Sequence, residues 1–224
     1  MSRWPQLPHK DYPWLWIHQN LGRQPRWIFP NTLTGNGLWC PRLNFDNFED
    51  VWPLLSEGDT TFVNREYRER TLLYEQVLNH RAHAVYSGKH GAVDYVIIET
   101  PGKNEEYRAG DFWASDGDIR LSDGERILGV LHLYHLSHER LGYGMSNPFV
   151  GIQLVPDARG AGVADRAMDL LERFVTERYE DANGVTANIK FTNERSLRFF
   201  KRRGYIETDK YEGASEAYLE KMLK

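Results

Sequence analysis

The run Val155-Pro156-Asp157-Ala158-Arg159-Gly160-Ala161-Gly162-Val163-Ala164 decides how this chain is read. Before it, Phe149-Val150-Gly151-Ile152-Gln153-Leu154 has the makings of a strand. After it, Val163, Ala167, Leu170, Leu171, Phe174 and Val175 recur at spacings of three and four, the stripe of a helix with one buried face. A strand that feeds a helix through such a turn leaves backbone N–H groups without acceptors at the helix N-terminus, where aligned peptide dipoles favour an anion. Gly160 and Gly162 permit backbone angles closed to other residues, and Ala161 and Ala164 are small, so a diphosphate can reach the main chain without help from a lysine. A plain strand-turn-helix junction would carry the same two glycines. A dinucleotide fingerprint would need a third glycine where Asp165 stands, and a place in the first strand-helix unit. A P-loop would need Gly-Lys-Ser or Gly-Lys-Thr, and neither occurs.

A second run, Asn193-Glu194-Arg195-Ser196-Leu197-Arg198-Phe199-Phe200-Lys201-Arg202-Arg203-Gly204-Tyr205, reads as a short helix. Asn193 is a good N-cap, Ser196 falls in the first turn, and Gly204 suits a left-handed C-terminal stop. Arg195, Arg198, Lys201, Arg202 and Arg203 read as a solvated cationic face.

Together the two runs resemble motifs A and B of the GNAT N-acetyltransferase superfamily. Arg159, Gly162 and Ala164 fill the motif A pattern of Arg or Gln, two residues, Gly, one residue, Gly or Ala. Asn193, a small residue three on (Ser196), Gly204 and the aromatic Tyr205 fill motif B, nearest the ribosomal-protein (Rim-type) subgroup. The resemblance implies a mixed α+β fold, a mostly antiparallel twisted sheet with helices on both faces. It implies acetyl-CoA as acyl donor, held through the N–H groups of Gly160, Ala161, Gly162, Val163, Ala164 and Asp165, with Arg159 beside them. Leu154 and Val155 would pair with the pantetheine arm like an added strand, and Asn193, Ser196 and Phe200 would lie along the cofactor. A cation of the second run would meet the CoA 3′-phosphate, if any does. The implied activity is direct transfer of acetyl to a primary amine, on a protein N-terminus or a small molecule. The alternative is a non-catalytic acyl-CoA sensor.

Acid and base are less defined. The position seven after Asn193, often a proton-donating tyrosine in this family, is Phe200. That leaves Ser196, a water, or unassisted departure of the thiolate. A substrate amine is protonated near neutrality and needs a base. His132, His135, His138 and Glu139 are candidates, with His135 preferred, and Gln153 could orient a water.

Working outward, Leu38–Leu43 reads as a strand and Asp46 three residues before Glu49 as a capping box opening a helix with Phe48, Val51, Trp52 and Leu55 on one face. A second helix is expected over 65–81, strands over 93–98, 127–134, 185–191, 205–208 and 217–222. Residues 1–31, with four tryptophans and five prolines, form an extension whose rings need cover from the body of the protein or from a second copy in a homodimer. Residues 32–224 form the catalytic domain, with 101–125 as a flap or an insertion with its own hairpin.

The 224 residues suit one core with appendages. No apolar run approaches the roughly 18 residues of a membrane helix, and the start lacks a secretory core, so an intracellular, cytoplasmic protein is expected. A net charge of −4 argues against general nucleic-acid binding. The lone Cys40 cannot make an internal disulfide or a thiolate metal site and reads as a buried packing thiol; no metal is expected.

Overall fold

The computed structural model describes residues 32–43, 48–56, 91–102, 108–109, 119, 121–135, 147–178, 182–208 and 215–224. The opening segment 1–31, the helix expected over 65–81 and most of the proposed flap 101–125 lie outside these residues.

The described elements are β1 (Thr32–Gly35), β2 (Leu38–Pro41), α1 (Phe48–Ser56), β3 (Gly91–Glu99), β4 (Arg108–Ala109), β5 (Arg126–His135), β6 (Phe149–Leu154), α2 (Val163–Arg178), β7 (Gly184–Lys190), α3 (Glu194–Arg202), β8 (Ile206–Glu207) and β9 (Glu216–Met222). They build one nine-stranded sheet in the order β4-β1-β2-β3-β5-β6-β7-β9-β8. Every neighbouring pair is antiparallel except β6 and β7, which are parallel.

Strand alternation divides the core in two. Val93, Tyr95 and Ile97 of β3 face one side, where they pack with Val163, Ala167, Leu170, Leu171 and Phe174 of α2 and Phe200 of α3. Val96 and Ile98 face the other, where Val51 and Leu55 of α1 join Leu43 and Val130. Helices therefore cover both faces, as expected. Cys40 is fully buried in the first cluster, and burial pushes its thiol up to about 12, so it is inert packing.

Two short strands go beyond the sequence reading. β1 and β2 form a hairpin whose turn residues Asn36 and Gly37 have φ of 54° and 70°, the positive pair that a two-residue turn between twisted strands requires. β4 pairs with β1, so this part of 101–125 extends the main sheet.

A buried carboxylate ties α2 to the C-terminal elements. Glu172 accepts from the Tyr205 hydroxyl at 3.0 Å, from Arg203 at 3.0 Å and from Lys221 at 2.6 Å. Arg203 also reaches Asp165 at 3.2 Å and Asp169 at 2.7 Å, and its side chain is only 8 % exposed. Burial disfavours its charge, but the bond to Asp169 and the field of Glu172 outweigh that and hold the guanidinium charged. Arg203 thus departs from the solvated face expected of its run. Arg198, Lys201 and Arg202 do lie outside and pair with Glu194, Glu207 and Asp165.

Replacing Glu172 by Ala would leave Arg203 buried beside fewer anions. Denaturant unfolding should show a loss of about 3 to 5 kcal/mol, whereas a surface pair such as Glu194–Arg198 should cost under about 1 kcal/mol.

Candidate functional site

The parallel pair β6 and β7 is joined at one end only. Below β6, Asn147 accepts from the N–H groups of Asn183 and Gly184 at 3.0 and 2.8 Å, and its amide donates to Glu220. The Thr186 N–H donates to the Pro148 carbonyl at 2.9 Å, and Phe149 and Thr186 form the single register pair between the strands. Past that pair β6 keeps its partner β5 as far as Leu154 but has none on β7. Toward their C-terminal ends no register pair joins the two strands, which leaves an opening in the ladder between them.

Backbone polar groups alternate in direction along a strand. The Val155 N–H donates to Leu128 of β5 at 3.0 Å, and its carbonyl accepts from Ala158 at 3.1 Å. Both main-chain groups of Val155 therefore already have partners within the chain. By the same alternation, the groups of Leu154 and Ile152 point away from β5, toward the opening. Arg159 turns back and donates from Nε to the Leu154 carbonyl at 3.2 Å, so its side chain braces the end of β6.

The turn beyond β6 leaves a run of backbone N–H groups exposed at the start of α2. Pro156–Ala158 forms one 3-10 turn, and Gly160 and Gly162 follow with φ of 84° and 74°. A Cβ at either glycine would meet nothing within 4 Å, so their need for glycine is conformational and the space above them is open. The Arg166 N–H is the first to bond back within α2, to the Gly162 carbonyl at 3.2 Å. The preceding N–H groups, from Gly160 through Ala161, Gly162, Val163 and Ala164 to Asp165, donate to no acceptor among the described residues. The Val163 side chain is buried in the core, so only its backbone is available to a ligand, and the Asp165 carboxylate is taken by Arg202 and Arg203.

Because β6 and β7 run in parallel, the helices that follow them start at the same end of the sheet, on either side of the opening. Asn193 caps α3, its Oδ1 accepting from the Ser196 N–H at 3.2 Å, which confirms the capping reading. Ser196 is half-buried in that first turn. Phe200 lies deeper, 4 % exposed, with Phe199 and Tyr205 edge-on at 5.1 and 4.9 Å, and its place is in the core.

Of the candidate bases, His132 is the one whose setting is defined. It lies opposite Asp94 on β3 and opposite Gly151 on β6, and its Nδ1 is 2.6 Å from Asp94 Oδ1. Asp94 is 2 % exposed, while the His132 side chain keeps 27 % of its surface in water. Tyr134 stacks on the imidazole at 6.1 Å, and burial pushes its phenol up, so it stays protonated. His135 ends β5 opposite Gly91, but its side chain lies outside the described residues, as do His138 and Glu139. The sequence reading missed Asp94, although a lone carboxylate in Val93-Asp94-Tyr95-Val96-Ile97-Ile98 signals a buried polar group in need of a partner.

Comparison with known proteins agrees with this layout. Residues 94–205, half of the chain, match the family model described as the acetyltransferase (GNAT) family. Solved structures share the fold at low identity. A GnaT-family acetyltransferase from Bordetella pertussis superposes with a TM-score of 0.55 at 16% identity, covering 85% of this chain and 98% of its own. GNAT-family acetyltransferases from Bacillus anthracis and Chromobacterium violaceum give TM-scores of 0.56 and 0.60 at 13% and 12% identity. They cover 86% and 91% of this chain and 98% and 92% of their own. The comparison with curated proteins finds no match. On the family match and the fold, this chain belongs to the GNAT acetyltransferase family.

Proposed function

We propose that the protein is an acetyl-CoA-dependent N-acetyltransferase that moves the acetyl group to a primary amine by direct attack within a ternary complex. The observation that carries this reading is the one-ended pairing of β6 and β7 beside a turn whose N–H groups have no acceptors among the described residues. Such an opening accepts an extended arm on the free edge of β6, while the adjacent helix N-terminus holds a diphosphate. The residues present fit acetyl-CoA, which would supply an activated acetyl thioester. Backbone N–H groups from Gly160 to Asp165 would bind its diphosphate, and Leu154 its arm, with Val155 limited to side-chain contact. Asn193 and Ser196 would line the far side of the opening and Phe200 would back them from the core.

The chain's own groups then have defined tasks. A backbone N–H on the open edge of β6, at Ile152 or Leu154, would stabilise negative charge growing on the carbonyl oxygen. The Ser196 hydroxyl would donate to the departing sulfur, in place of the tyrosine that Phe200 replaces. Fixing amine and acyl carbon in contact supplies a large part of the rate by itself. The resemblance of the Asn193-to-Tyr205 run to the Rim-type subgroup supports a protein N-terminus over a small amine as acceptor, acting in the cytoplasm.

The test is continuous detection of free CoA thiol from the purified full chain with acetyl-CoA and a panel of N-terminal peptides, polyamines and small amines. Steady release that requires an amine is expected. Tight uptake of acetyl-CoA with no release on any amine would make the protein a sensor.

A further inference from the structure

The geometry points to His132, oriented by Asp94, as the general base that takes the proton from the acceptor amine, an assignment that rests on the acyl-transfer reading above. The two residues occupy facing positions on β5 and β3, and both belong to the face that carries α1, since Asp94 alternates with Val96 and Ile98, and His132 with Val130. Asp94 accepts a hydrogen bond from Nδ1–H, so in the neutral ring the lone pair sits on Nε2, the nitrogen turned away from the carboxylate.

Position gives this pair its meaning. His132 is in register with Gly151, which lies two residues beyond the last residue of β6 that pairs with β7. The imidazole therefore flanks the mouth of the opening, one strand away from its edge. From Leu154 back to Gly151 the edge of β6 runs about 10 Å, the course an arm anchored at the turn would follow. Gly151 keeps that flank clear. A Cβ there would meet only the His132 Cβ, at 3.6 Å, so the glycine leaves room beside the ring where any larger residue would stand. A helix pair covers the opposite face, so an amine approaching the opening from the α1 side meets His132.

Tyr134 stacks on the His132 ring from β5, β6 carries no titratable residue, and Glu49 and Asp50 in the first turn of α1 are exposed to water. In the transfer the amine nitrogen forms its bond to the acyl carbon as the carbon–sulfur bond breaks. The electron pair leaves with sulfur, and the ammonium proton passes to His132 Nε2 and from there to water. His132 is the catalytic residue and Asp94 a positioning residue.

The experiment measures kcat/KM against pH for the wild type, His132→Gln and Asp94→Asn, with acetyl-CoA affinity followed by calorimetry and the His132 ring nitrogens by 15N NMR. Expected are unchanged affinity, a loss of roughly 10²- to 10⁴-fold in His132→Gln together with the acid limb of the profile, and a smaller loss in Asp94→Asn. The neutral ring should be the Nδ1–H tautomer in the wild type and a mixture in Asp94→Asn. His132→Gln turning over at the wild-type rate at every pH would overturn the assignment and leave acyl transfer standing, and so would the Nε2–H tautomer in the wild type. A wild type that binds acetyl-CoA but acetylates no amine would instead overturn the acyl-transfer reading, and the base with it.

Discussion

Everything functional in this fold depends on two parallel strands that are held together at one end and released at the other. Asn147 collects the N–H groups of Asn183 and Gly184, and Thr186 bonds to Pro148, so the lower ends of β6 and β7 cannot part. Above Phe149 no register pair joins them, and the edge of β6 that faces away from β5 has no strand partner among the described residues, in the interior of a sheet where an unsatisfied polar group is costly. An edge kept open in the middle of a sheet is a site that an extended ligand completes. β5 supports β6 from the other side along its whole length, which keeps the edge straight while it lacks a second partner.

The helices on either side of the opening are fixed by charge as well as by packing. Asp165, Asp169 and Glu172 descend one face of α2, and Arg203 meets all three from the C-terminal end of α3, while Lys221 of β9 and Tyr205 close on Glu172. Buried ion pairs add little net stability compared with apolar packing, but their geometry admits few alternatives. Here they lock the first turn of α2, whose N–H groups have no acceptor among the described residues, to the helix that carries Ser196. On the other side Arg166 ties the same turn to Glu99 and to the Asn36 carbonyl of the β1–β2 hairpin.

What could be read in the sequence was what is local. The turn from Arg159 to Ala164, the stripe of α2 and the cap at Asn193 are each fixed by a few adjacent residues, so their positions follow from the sequence alone. β1 escaped notice because four residues carry too little alternation, although Asn36-Gly37 between two apolar runs was a legible hairpin signal. Arg203 looked like one cation among five, because its burial is set by carboxylates more than thirty residues away on α2. Those carboxylates at spacings of four and three were themselves a readable stripe. Asp94 could be noticed as an oddity in an apolar strand, but its pairing with His132 depends on strand register, which no local pattern specifies.

The central claim is that the turn beyond β6 and the opening beside it hold acetyl-CoA. A calorimetric titration of the full chain, with Gly162→Glu as control and circular dichroism to establish that both are folded, tests it most directly. The account predicts saturable uptake of acetyl-CoA by the wild type and its loss in the variant, where a carboxylate stands in the open space above the turn. A folded wild type that takes up no acetyl-CoA, or a folded variant that binds it as tightly, would contradict it.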